Sequence, residues 1–214
     1  MQLHAIYTGK PTSVEFKNKA VETGIYKNLR KGSVKVNFLN LEGDQQADLK
    51  VHGGVNKAVY AYPQEHYTYW SEHAPELKLA PGAVGENLLV SGFDEAALQV
   101  SDVLEIGSAG FMVTVPRMPC FKLGIKVGDP GFVKAFLESR KTGFYLKVLQ
   151  EGTIKAGDSI KLTKGTPDAV TVDEVTRLYS TDKENIVLLK KAIATEALPE
   201  DWRSFFGERL TKLD

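Results

Sequence analysis

Over the first three quarters of the chain, apolar residues alternate with polar ones or come in short runs closed by turn residues, which predicts strands. Residues 33–39 alternate through Val34, Val36 and Phe38; residues 58–62 form an apolar run stopped by Pro63, and residues 111–115 one stopped by Pro116. Residues 100–106 and 156–162 echo each other, an aspartate turn (Asp102, Asp158) ahead of an alternating strand. The echo is too short for a repeat unit and predicts two hairpins of one antiparallel barrel or sheet. Helices interrupt twice: residues 64–70 follow Pro63 as if proline opened a helix, and Phe132, Phe136 and Leu137 have helical spacing after Pro130-Gly131.

Past Gly165-Thr166-Pro167-Asp168 the period becomes helical. Val172, Val175, Leu178 and Tyr179 mark one stripe. Thr181-Asp182-Lys183-Glu184 has the form of a capping box ahead of Ile186, Leu189 and Ile193. Pro199 opens a third helix, with Trp202, Phe205, Phe206, Leu210 and Leu213 expected to face inward. The pattern therefore predicts a mainly β domain with peripheral helices over residues 1–165, and a three-helix unit over 166–214. So small a helical unit is marginal alone and should pack on the β domain. It carries no chemistry of its own, so it reads as a docking or dimerisation cap.

Composition narrows the class. An apolar fraction of 43% and a charged fraction of 25% in 214 residues describe an ordinary folded chain of one generous domain or a domain with an appendage. Lys+Arg and Asp+Glu both total 27, so the excess of cations that a nucleic-acid polymer demands is missing, although a local basic pocket remains open. No apolar run approaches the roughly 20 residues of a membrane span. The opening residues lack a basic region followed by an apolar core. The single cysteine, Cys120, excludes an internal disulfide and any site built from several thiolates. A reducing, cytoplasmic setting is the expectation. Neither a Rossmann fingerprint nor a Walker loop is present.

Three clusters could carry chemistry. The first runs from Lys50 through His52, Gly53, Gly54 and Lys57, where paired glycines admit a ligand to the backbone and the cationic donors suit a phosphate. Taken alone, its local pattern favours a glycine turn with solvated lysines, since such turns between strands are common. The second, Gly82-Ala83-Val84-Gly85-Glu86-Asn87, could hold Glu86 and Asn87 at a pocket rim, or be a loop before a strand. In the third, Pro116 and Pro119 stiffen a turn that presents Arg117 and Cys120, with Lys122 close by. Those cations could favour a thiolate, though an isolated cysteine is more often a small core residue. A cysteine–histidine hydrolase would need His4, His52, His66 or His73 as partner, and spacing supplies none. His66 and His73 are seven apart, not the pair spacing of a metal helix, and read as structural or surface residues.

Taken in order, these elements resemble the MOSC family, named for the carboxy-terminal domain of molybdenum-cofactor sulfurase. The matching segments are residues 43–48, His52-Gly53-Gly54 with residues 57–60, residues 85–88, Pro116-Arg117 with Pro119-Cys120, and residues 152–158, together covering about 20–163. Residues 62–70 and the helical tail are similar to the YiiM-type branch, the 6-hydroxylaminopurine-resistance proteins. The resemblance implies an antiparallel β-barrel that binds molybdenum-molybdopterin and reduces N-hydroxylated bases and related N-oxygenated small molecules. Electrons would come from an external flavoprotein-type donor. It further implies that Cys120 ligates the metal, that Arg117 contacts the cofactor phosphate or pterin, and that Lys50, His52, Gly53, Gly54 and Lys57 line its anionic end. Asn87 and Tyr145 would contact the pterin. Other MOSC reductases carry a further cysteine or polar residues near the ligand, where this chain has Met118 and Pro119, so substrate preference does not transfer from them. The alternative reading is a non-catalytic carrier of the cofactor or of its sulfur.

Overall fold

The structure, a computed structural model, describes residues 1–47 and 53–213; Lys50 and His52 lie outside the described residues. The chain opens with β1 (Gln2–Thr8), the hairpin β2 (Thr12–Phe16) and β3 (Lys19–Thr23), and three short strands, β4 (Asn28–Leu29), β5 (Ser33–Asn37) and β6 (Asn40–Leu41). Next come β7 (Val59–Pro63), α1 (Glu65–His73), β8 (Leu88–Ser91), β9 (Val103–Ile106) and β10 (Ala109–Pro116). Helices α2 (Phe121–Val127) and α3 (Phe132–Glu138) lead into β11 (Phe144–Gln150), β12 (Gly152–Lys155) and β13 (Ile160–Thr163). Three helices finish it, α4 (Val172–Ser180), α5 (Ile186–Ala194) and α6 (Glu200–Thr211).

Eight strands form one mixed sheet in the order β13-β9-β10-β11-β7-β8-β1-β4, beside a three-stranded sheet β12-β5-β6. The echoing segments become neighbours, with Ile160 opposite Ile106 and Leu162 opposite Leu104. They are adjacent strands of one sheet, not two separate hairpins. The expected antiparallel barrel needs correction. β7 and β8 run parallel, because α1 carries the chain back across the sheet between them and a crossover returns the second strand in the direction of the first. Nor do the described strands close. β13 and β4 are the edges, and the start of β1 meets the segment entering β13 through an isolated bridge, Gln2 with Ser159, and through the bonds from Leu3 N–H to the Asp158 carbonyl, Gly157 N–H to the Leu3 carbonyl and Ile160 N–H to the Met1 carbonyl.

Alternation holds through Val34 and Val36, fully buried while Lys35 faces out, but stops before Phe38, which lies beyond β5 and is exposed. They join Ile6, Phe111, Phe144 and Leu146 in the core between the sheets. A second core is aromatic: Tyr60 and Tyr62 on β7 meet Tyr67 and Trp70 of α1 and Phe132 and Phe136 of α3. The third joins Val175, Leu178, Leu188, Leu189, Trp202 and Phe206 of the last three helices to Val100 and Val115.

Local expectations fail at four places. The capping box sits at Thr171, whose side chain accepts from Glu174 N–H while Glu174 accepts from Thr171 N–H. Thr181 instead ends α4, and Asn185 caps α5 by accepting from Leu188 N–H. Asp182 is engaged by Arg177 and Asn185, which makes this stretch a turn. Phe205, expected inward, is 39% exposed and pairs with half-exposed Tyr179 at 5.9 Å. Pro63 closes β7 rather than starting α1, and Pro199 stands at the cap of α6. Finally, α2 directly follows Cys120 where no helix was expected.

Candidate functional site

Strand β10 ends at Pro116, opposite Phe144, and the next residue, Arg117, donates its N–H to the Gly143 carbonyl at 3.1 Å. Pro119 then hands the chain to Cys120, which caps α2 in an extended conformation and is half-buried.

Cys120 opens onto a pocket assembled from six separated stretches: residues 23–27, 44–47, 57–60, 85–87, 117–122 and Tyr145. Among the described residues four cationic side chains line it, Lys27, Lys57, Arg117 and Lys122, with one carboxylate, Asp44. The chain as a whole has no net charge, so this concentration of positive charge is local. Arg117 is the most demanding member. Its guanidinium is buried over the rings of Tyr60 (5.0 Å) and Phe136 (5.5 Å), and its Nη1 has no hydrogen-bond partner among the described residues. Burial opposes its charge, but the phenols of Tyr60 and Tyr145 and the Cys120 thiol outweigh that and hold its pKa above the ordinary value. A buried, charged and incompletely paired donor is a receptor for an anion.

Behind the pocket a polar network fixes the wall. Asp44 accepts from the Lys27 ammonium, from Gly9 N–H (3.0 Å) and from Asn87 Nδ2 (2.9 Å). Asn87 also donates to the Tyr7 carbonyl and accepts from Tyr60 N–H. Its amide is thus spent bracing β1 against β7, and a ligand would meet only its edge. Tyr60 donates to the Thr142 carbonyl at 2.7 Å, and burial raises both its pKa and that of Tyr145, so both remain phenols. Lys57 is placed by a short turn whose Asn56 carbonyl lies 2.6 Å from the Thr114 hydroxyl on β10.

Of the expected site residues, the structure brings together Lys57, Asn87, Arg117, Cys120 and Tyr145. Gly53 and Gly54 do not line the pocket; Gly54 begins the turn that carries Lys57, with φ at +90°. Glu86 is not a rim residue. It is wholly buried, Oε1 accepts from the Tyr67 hydroxyl (2.7 Å) and Gly82 N–H (2.6 Å), and Oε2 has no partner. Buried His66 lies 2.6 Å from Glu95, and exposed His73 stacks on Tyr69. Lys27, Tyr60 and Met118 escaped sequence reasoning as lining residues. Lys27 sits in a stretch without periodicity, and nothing in its neighbours announces a partner 17 residues on. Among the described residues no three His, Cys, Asp or Glu side chains converge on a site for a bare ion, and no helix is long and apolar enough to cross a membrane.

Residues 48–161 match the MOSC domain, and residues 170–213 match the YiiM-like, 3-alpha helix domain. A protein of Bacillus subtilis, YflK, is 37% identical over 205 residues, covering 96% of this chain and 92% of its own. A Gibberella moniliformis protein described as a reductase is 33% identical over 145 residues, which are 66% of this chain and 26% of that one. The crystal structure of YiiM from Geobacillus stearothermophilus superposes with a TM-score of 0.81 at 31% identity, covering 98% of both chains. The chain belongs to the MOSC-domain family, in its YiiM-like branch.

Proposed function

We propose that this protein is a molybdenum-molybdopterin-dependent reductase of N-hydroxylated bases, such as 6-hydroxylaminopurine, and of related N-oxygenated compounds. Electrons come from a separate flavoprotein-type reductase. The observation that carries the reading is the buried, incompletely paired Arg117 beside Cys120 in a cationic pocket. MOSC domains are associated with this cofactor, and the resemblance to a protein described as a reductase supports redox chemistry.

The residues fit the group. A pterin phosphate suits Arg117, Lys57 and Lys122, three cationic side chains gathered in one lining. Cys120 offers one soft thiolate, so a metal here must bring further ligands of its own, as a pterin dithiolene does. Bound there, the cofactor supplies a two-electron reductant able to take oxygen from nitrogen: R–NH–OH + 2 e⁻ + 2 H⁺ → R–NH₂ + H₂O. The protein does the rest. Tyr60 and Tyr145, kept as phenols by burial, flank Arg117 and give the cavity flat, dry walls. The Asp44–Asn87 brace holds those walls in register, which preserves the geometry of attack.

The test is metal and pterin analysis of protein made in a molybdate-replete host, with turnover assayed using a chemical reductant. Near-stoichiometric molybdenum and pterin with multiple turnovers of 6-hydroxylaminopurine is the expected result. Bound cofactor or a cysteine persulfide without turnover would make the protein a carrier instead.

A further inference from the structure

We propose that Lys27 is the proton donor of this site, delivering protons to the Cys120 pocket and reloading from a second cavity on its other side. The proposal rests on the reductase reading, because that reaction consumes two protons for each N–O bond broken. The second cavity is lined by residues 77–83 together with Tyr7, Lys27 and Lys126. Lys27 is the one residue common to the linings of the two cavities among the described residues. Its side chain is 8% exposed, so it forms the partition between them.

The groups facing Lys27 make it fit for transfer. Burial lowers its pKa from the ordinary lysine value; Asp44, its ion-pair partner, and Glu86 work the other way, and Arg117 adds to the lowering. Lys126 across the second cavity is itself pulled down to about 8, by burial first and then by repulsion from Arg117 and Lys27, with Glu86 opposing. It donates to the carbonyls of Ile25 and Gly82. The alternatives inside the first pocket are poorer. Arg117 does not release its proton. Tyr60 and Tyr145 are raised by burial. Lys57 and Lys122 line the first pocket but not the second.

The step balances as follows. Two electrons from the external reductant enter the N–O bond; nitrogen keeps one pair and a proton, and oxygen leaves as water with another. Lys27 releases one proton as an amine beside the Asp44 carboxylate, is recharged from water in the second cavity, and releases the second. Lys78 and Lys126 in the lining of the second cavity give such water polar partners.

The deciding variant is Lys27→Arg, which keeps the charge and the pairing with Asp44 but cannot give up a proton. A neutral double variant, Lys27→Met with Asp44→Asn, guards against misfolding of either single change. The loaded wild type should lose activity as pH rises through the Lys27 pKa. Both variants should lower kcat about hundred-fold and abolish that limb, and Lys27→Arg, which keeps Asp44, should leave KM unchanged. Ala80→Phe, which fills the second cavity away from the first, should lower kcat and raise the solvent isotope effect. Independently of any cofactor, the ¹⁵N side-chain resonance that Lys27→Arg removes should titrate below the ordinary lysine range in the empty protein. Wild-type turnover that survives in Lys27→Arg with the same kcat and pH profile overturns the proposal alone. A wild type loaded with cofactor that reduces no N-hydroxylated compound overturns the reductase reading and the proposal together.

Discussion

Arg117 and Cys120 show how a residue's meaning depends on what folds around it. Along the chain they are three apart between prolines; in the structure, one is a buried cation short of a partner and the other a half-buried thiol at the same pocket. Arg117→Met should therefore leave the stability of the empty protein within about 1 kcal/mol of the wild type, since replacing a buried charge and its partners' attraction with an apolar chain is close to neutral. The same change should abolish retention of the cofactor. Urea denaturation and pterin analysis of one preparation check both halves. Lys126 provides a pH test. Its folded-state pKa of about 8 lies below the ordinary value of 10.5, so the folded protein binds fewer protons than the unfolded chain between those limits. Stability contributed by this group is lowest below pH 8 and recovers as pH rises to 10.5. Relative to Lys126→Met, the wild type should gain about 3 kcal/mol between pH 7 and pH 10.5, measured by denaturant midpoints at each pH. At this scale the sequence was least legible. Asn87 was readable as a contact residue, but its amide is consumed by Tyr7, Tyr60 and Asp44, all distant in the chain.

Elements were legible wherever burial follows a local period. Strand β5 reads directly from Val34 and Val36, and α4 and α5 from stripes that end up in one helical core. Helix α2 was invisible because it buries only Leu123 and Gly124 and leaves Phe121 about half exposed, so no stripe forms. The misplaced capping box has a different cause. Thr171-Val172-Asp173-Glu174 and Thr181-Asp182-Lys183-Glu184 share one spacing, and only the packing of Val172 and Val175 selects the first. Thr171→Ala should cost about 1 kcal/mol, whereas Thr181→Ala should change stability by only a few tenths. Equal effects from the two in thermal melts would mean that the box is not what starts α4.

At the scale of the whole molecule, the sheet's purpose is to collect six stretches that are remote in sequence around one thiol. The β7–α1–β8 crossover sets Tyr60 beside Asn87, and the β10–β11 pair sets Arg117 beside Tyr145. The C-terminal helices bear on the same pocket, because Met118 and Tyr145 pack on their core as well as lining the cavity. That arrangement is long-range, which is why the order of motifs pointed to the family while Lys27 and the parallel strand pair stayed hidden. The central claim is that Cys120 holds the reactive metal rather than serving as core packing. Turnover of 6-hydroxylaminopurine by cofactor-loaded protein, wild type against Cys120→Ala, tests it most directly. The account predicts a variant that melts like the wild type and shows no turnover; turnover equal to the wild type would contradict it.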